Sequence, residues 1–185
     1  MNVFSRAEQK ATTRAKILDV ARTHLERSGF EGTSIRGIAK DAGVAAGTVL
    51  LHFRDKEDLL HAALFDDLAL TWSEARRGAK NRSLETDLAH LAKAFFHYYA
   101  ARPALSRTLL RSSLFAEPPW NERFAKQVAE VHAHVAELAK GAKARKEIAD
   151  DVDEALLGVA FFSFYYFALL AWAQGGFPDP LRLFK

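Results

Sequence analysis

Apolar positions along the chain recur at helical spacing, with no alternating strand pattern and no internal repeat of about 20–50 residues. A first helix is predicted over Thr13–Ser28, with Ile17, Leu18, Ala21 and Leu25 on one face and Gly29 as a left-handed cap. Ser34 caps a short second helix, in which Ile35, Ile38, Ala39 and Ala42 follow the i, i+3, i+4, i+7 rule and Gly43 ends the run. Val44 leads into a third, Ala45–His52. Asp55 caps a long fourth helix reaching about Arg77, with Asp58 as box-like partner and Leu60, Ala63, Leu64, Leu68 and Trp72 as its buried face. The polar run Gly78–Ser83 reads as a boundary between two regions.

Beyond it, Leu84–Arg102 forms a helix that Pro103 stops. Ala104–Phe115 follows and ends before Pro118 and Pro119. Asn121–Lys140 aligns Phe124, Val128, Val131, Val135 and Leu138 on one stripe. The charged stretch 141–151 is expected as a loop, and Val152–Gln174 as a last long helix ended by Gly175, Gly176 and Pro178. The fold expected is all-α.

A chain of 185 residues, 49% hydrophobic and 26% charged, is long enough to bury a core and too apolar to be disordered. Without cysteine, disulfides, thiolate metal sites and cysteine nucleophiles are excluded. Met1–Lys16 has no apolar stretch of the secretory kind, and a cytoplasmic location is expected. The net charge of +3 is unevenly spread: residues 1–56 carry ten Lys and Arg against six Asp and Glu. Aromatic residues run the other way, with 16 of 21 falling between Phe95 and Phe184. One end suits a polyanion and the other suits enclosing something apolar.

Two short helices joined at Gly43 suggest a helix-turn-helix. Its second helix must be slim to enter a major groove about 12 Å wide, and Ala45, Ala46 and Gly47 allow close approach. Ile38, Ala39, Val44 and Val49 form the inner face that sets the angle between the helices. Many helical proteins contain two short helices and a glycine turn, so periodicity alone leaves the reading open.

The run Gly29–Leu60, GFEGTSIRGIAKDAGVAAGTVLLHFRDKEDLL, resembles the DNA-binding domain of the TetR family of bacterial transcriptional regulators. The matching features are Gly29–Phe30, Thr33–Ser34, Ile38–Ala39, Ala42–Gly43–Val44, Gly47–Thr48, His52–Phe53, Lys56–Glu57 and Leu59–Leu60, with Arg14, Ile17 and Leu18 before them. The resemblance covers about residues 12–65 and implies a three-helix DNA-binding domain, 1–56. Through the long fourth helix it joins a helical ligand-binding and dimerisation domain, 57–185. It further implies that Arg36 reaches a base edge, where an arginine can bond guanine O6 and N7 together. Thr33, Ser34 and Thr48 are expected on phosphates, Lys56 as a point charge to phosphate, and His52 near the backbone. Arg6, Lys10, Arg14 and Lys16 are expected to add attraction from the tail and first helix.

The chain also departs from the family. Leu50 stands where an aromatic, mostly tyrosine, is usual, Leu51 where a polar or aromatic group is common, and Ala45 where serine usually caps. Gly37 lies inside a helix, and His24 takes a place usually apolar. With few donors on the recognition helix, Arg36, methyl contacts and DNA shape are expected to carry more of the specificity.

The run Ala155–Gln174 holds no charge and meets the length threshold for a membrane span. Ser163, Tyr165, Tyr166 and Gln174, spread along it, argue against a span, and the resemblance implies instead that this helix packs on its own core and on a partner's copy, a burial on two sides that explains the run. A homodimer through 152–174 on an inverted-repeat operator in double-stranded DNA, with no membrane, is therefore expected. The family's ninth helix has only Pro180–Lys185 left for it, so either the chain is shortened or the dimer rests mainly on the eighth helix. Phe95, Tyr98, Tyr99, Phe115, Trp120, Phe124, Phe161, Phe162 and Tyr165 are candidates to line a site for an apolar or aromatic small molecule, although each singly suits an ordinary core.

His132 and His134 point to different faces, and His90 and His97 lack completing carboxylates, so no metal is expected, nor any other cofactor. HExxH, GxSxG and phosphate-binding glycine loops are absent. The reading is a ligand-responsive repressor. The alternatives are a DNA-binding protein without small-molecule input, a membrane-anchored helical protein, and a helical enzyme of unrecognised type.

Overall fold

A computed structural model of the chain describes residues 5–78, 82–113 and 115–176. Eight helices are present among the described residues, and no strand. They are α1 (Arg6–Ser28), α2 (Ile35–Ala42), α3 (Ala46–His52), α4 (Lys56–Gly78), α5 (Leu84–Ala101), α6 (Pro103–Ser113), α7 (Trp120–Ala144) and α8 (Glu154–Ala173). Residues 79–81 of the expected boundary, residue 114, and the 180–185 segment considered for a ninth helix lie outside the described residues.

α1 begins seven residues before its expected start. Ser5 Oγ accepts from the Glu8 N–H, and Glu8 returns a bond from its carboxylate to the Ser5 N–H, a complete capping box. The Ser-x-x-Glu signal was present in the sequence, but no apolar periodicity accompanied it. α7 runs to Ala144, four residues past Lys140, because Ala142 is buried and continues the stripe. The expected loop thus contracts to 145–153. Pro103 stops α5 and also opens α6, where its fixed φ and missing N–H cost nothing.

Two apolar interiors form, and α4 belongs to both. One gathers Ile17, Leu18 and Ala21 of α1, Ile38, Ala39 and Ala42 of α2, Val49 of α3, and Leu59, Ala62, Ala63 and Phe65 of α4. The other joins Leu60, Leu64, Leu68 and Trp72 of α4 to α5, α6, α7 and α8. All five residues expected on the buried face of α4 lie in this second interior except Ala63, which faces the first. α7 and α8 pack closely at Gly158, where an added Cβ would sit 2.6 Å from the His132 carbonyl oxygen.

Candidate nucleic-acid interface and effector cavity

The turn between α2 and α3 is fixed by backbone chemistry. Ser34 Oγ accepts from the Gly37 N–H at 3.0 Å and caps α2. Gly43 adopts φ 65°, ψ 36°, the left-handed region that suits glycine, and the Val44 N–H reaches back to the Ala39 carbonyl at 2.9 Å. Ala45 stands at the N-cap of α3 with no side-chain bond. Only Val49 of α3 is buried, so most of the helix is free to face a groove.

The exposed side of α3 is apolar. Leu51 is 82% exposed and Leu50 53% exposed, beside Gly47, whose absent Cβ would meet nothing within 4 Å. Ala45 is exposed; Ala46, Thr48 and His52 are half-buried. The His52 imidazole pKa is pushed down by partial burial and then by Lys10 and Arg14, so the ring is neutral at pH 7. Arg36 and Ser34 are exposed on the neighbouring turn of α2.

Two expected phosphate contacts are placed otherwise. Thr33 is buried, and its hydroxyl donates inward to the Gly29 carbonyl at 2.7 Å, so it locks the turn instead of facing outward. Lys56 Nζ donates to the Phe30 carbonyl at 2.8 Å and lies 4.1 Å from the Phe30 ring centroid. Its charge is held by the loop before α2, through a cation–π contact and a hydrogen bond.

His24 and Gly37, two departures with no link in the sequence, are one feature. The His24 ring lies beneath Gly37, where a Cβ would come within 3.4 Å of its Cε1, and Nε2 lies 2.7 Å from Asp41 Oδ2. A Cβ at 37 would press first on the capping Ser34 Oγ, at 3.1 Å, and would touch the ring that ties α1 to α2 at ordinary contact distance.

α1 is bound to α4 by ion pairs. Arg22 holds Asp67 through two contacts, at 2.7 and 3.1 Å, and Arg14 holds Asp66 at 2.9 Å. Each carboxylate also meets an arginine from the other side: Arg102 reaches Asp67 at 3.2 Å, and Arg123 of α7 reaches Asp66 at 4.0 Å. At the start of α4, Asp55 Oδ1 accepts from the Asp58 N–H, while Asp58 accepts from Arg54 N–H and from the Trp120 indole.

Six of the nine aromatic candidates meet around one cavity: Phe95, Tyr99, Phe124, Phe161, Phe162 and Tyr165. The sequence reading missed Leu68, Trp72 and Gln127, which also line it. Its free volume of about 40 Å³ holds no more than a few water molecules. Burial pushes the Tyr99 and Tyr165 phenols above their ordinary range, so both stay neutral hydroxyls. Trp72 is 4% exposed, stacks near Phe95, and its indole N–H has no protein acceptor.

Three candidates lie elsewhere. Trp120 stacks on His61 and Phe65 at 5.4 and 5.5 Å and belongs to the helix-turn-helix interior. Phe115 is 88% exposed. Tyr98 points to a separate cleft with Arg22, Asp67 and Arg102. Apolar spacing could not sort Phe115 from Trp120, because Pro118 and Pro119 interrupt the helical phase between them. Among the described residues no group of three or more His, Asp or Glu could hold a metal ion.

Comparison with known proteins bears on both regions. Residues 17–63 match the model for bacterial regulatory proteins of the tetR family. The HTH-type transcriptional repressor Rv1474c of Mycobacterium tuberculosis is 27% identical over 173 residues, 94% of this chain and 88% of that one. Among solved structures, the TetR-family repressor FadR of Thermus thermophilus, in complex with lauroyl-CoA, superposes with a TM-score of 0.70 at 25% identity, covering 92% of this chain and 89% of that one. The regulator FadR of Bacillus subtilis, in complex with stearoyl-CoA, gives 0.72 at 20% identity, with 92% of each chain covered. The helix-turn-helix segment matches the tetR-family model, and over most of its length the chain is similar to a transcriptional repressor and shares the all-α fold of TetR-family regulators.

Proposed function

We propose that the protein is a repressor that binds an inverted-repeat operator as a homodimer and lets go when a long apolar molecule enters the cavity between α4, α5, α7 and α8. In this reading residues 1–56 read DNA, residues 57–185 sense and pair, and the protein works in the cytoplasm. The observation that carries it is the sharing of α4. The same helix packs Leu59, Ala63 and Phe65 under the reading head and Leu68 and Trp72 against the cavity.

The cavity is nearly closed, so a chain-like ligand requires its aromatic walls to part. Tight packing and occupancy are then alternative states, and the ligand favours whichever it fits. A wedge against Leu68 and Trp72 shifts α4 and with it the spacing of two reading heads that must meet grooves about 34 Å apart. Structures of two FadR proteins with acyl-CoA molecules support a ligand with an apolar tail.

The other face of α8 supports pairing. Leu156, Val159, Phe164 and Phe167 are exposed in the single chain along a helix long and apolar enough to cross a membrane. A second copy of α8 covers such a face in an isologous interface. At the reading head, Arg36 contacts a base edge, Ser34 and Thr48 contact phosphates, and Leu50 and Leu51 offer apolar contact to thymine methyl groups.

The test is selection of duplexes from a random pool followed by fluorescence anisotropy with and without dodecan-1-ol. A palindromic site bound at physiological salt and released by the alcohol supports the reading. Binding to all duplexes alike, or no binding, overturns it.

A further inference from the structure

A second cleft adjoins the apolar cavity and differs from it in chemistry. It lies between α4 and α7, has about 330 Å³ of free volume, and is open to solvent. Arg76, Arg123 and Lys126 line it, opposed by Asp66 and Glu130. Trp72 and Gln127 line both spaces, so one wall separates the apolar cavity from the basic cleft. Arg123 has Asp66 at 4.0 Å and the Trp120 ring at 5.0 Å. Among the described residues, Arg76 and Lys126 have no carboxylate within ion-pair distance.

Resting on the function proposed above, we infer that this cleft seats the anionic head group of the ligand whose apolar tail occupies the adjoining cavity. Two unpaired cations and a loosely paired third stand across the Trp72–Gln127 wall from the apolar space, where an anion gains charge-assisted hydrogen bonds once that wall parts. The Trp72 indole N–H, buried in the shared wall and without a protein acceptor, meets a polar atom at the junction of head and tail. A buried donor left unpaired is costly, and a ligand acceptor removes that cost. The seat also touches the tie to the reading head, because an anion that draws Arg123 changes the charge balance at Asp66, which holds Arg14 of α1.

Isothermal titration of the full chain with lauroyl-CoA, laurate and dodecan-1-ol tests this, alongside an R76Q/K126Q variant whose changes lie on exposed side chains. A charged dodecyl compound is expected to bind at least about tenfold more tightly than the alcohol. The double variant is expected to lose most of that gain while binding the alcohol as before. A gain for lauroyl-CoA alone assigns the seat to phosphate, and an equal gain for laurate assigns it to any anion. Equal binding of all three, or a gain that survives in the variant, overturns the anion seat and leaves the apolar cavity standing. Failure of every dodecyl compound to bind overturns the ligand reading and the seat together.

Discussion

Asp66 and Asp67, neighbours on α4, each bridge an arginine of α1 and an arginine from beyond α4, on α7 for Asp66 and at the end of α5 for Asp67. Asp66 lies between Arg14 and Arg123, and Asp67 between Arg22 and Arg102. The pair makes α4 an electrostatic splice between the two halves of the molecule. Asp67 is mostly buried and its Arg22 contact is two-pronged, so it is the stronger member. Asp67→Asn is expected to cost about 1–3 kcal/mol, because it leaves two arginines facing a neutral group. Urea denaturation followed by circular dichroism measures it. An unchanged midpoint contradicts the role given to Asp67.

Arg36 and Lys56 are expected to behave differently. Arg36→Ala should relax discrimination at one base of the selected operator by about 1–3 kcal/mol while leaving thermal stability unaltered. Lys56→Met removes the bond to the Phe30 carbonyl and the contact with its ring, and should destabilise the reading head by about 1 kcal/mol. Because that charge is already engaged, the salt dependence of DNA binding should shallow by less than one released ion. Anisotropy at several salt concentrations separates the two effects.

Stability should fall on acidification, and His61 should account for part of the fall. Burial holds its pKa below the ordinary 6.5, against the opposing pull of Glu57, Asp58 and Asp55. The unfolded chain therefore takes up the proton more readily than the folded one. Stability conferred by the neutral ring is whole above the unfolded value and erodes as pH drops below about 6.5. His61→Phe keeps a ring between Phe65 and Trp120 and should flatten the melting-temperature profile between pH 7 and pH 5. His134, whose pKa burial also lowers, leaves a residual slope.

Most of the architecture could be read from residue spacing, because each helix of the reading head carries its own punctuation: Gly29, Ser34, Gly43 and Asp55. The cavity-facing stripe of α4 and the stripe of α7 were equally plain, but the second buried face of α4, with Leu59, Ala62 and Phe65, was not. What escaped were relations between distant positions. Nothing local tells that His24 lies under Gly37, or that Gly158 sits too close to the His132 carbonyl of α7 to admit a Cβ. Six of the nine aromatic candidates line one cavity, whereas Trp120 falls in the other interior, because helical phase cannot say which of two interiors a ring enters; Phe115 enters neither, and Tyr98 faces a separate cleft. Lys56 and Thr33 look outward in the motif, yet the fold turns their polar ends onto carbonyl oxygens.

Phe164→Glu tests the pairing face. A carboxylate there should leave the monomer folded, since the side chain is exposed in the single chain. It should convert the dimer to monomer in sedimentation velocity, by burying an unpaired charge at the interface. Operator affinity should drop with it, because two linked heads bind far more tightly than one. A dimer that persists moves the interface away from this part of α8.

The sharing of α4 limits how this molecule can be dissected. A fragment cut after Lys56 would keep the residues that face DNA yet forfeit Leu59, Ala62, Ala63 and Phe65, four of the side chains that fill its own centre. It would also strip Arg14 of Asp66 and Arg22 of Asp67, leaving Arg22 only its contact with Asp19. Such a piece should be a collapsed or unfolded peptide, and grafting this reading head onto another sensor would require carrying at least half of α4 across with it.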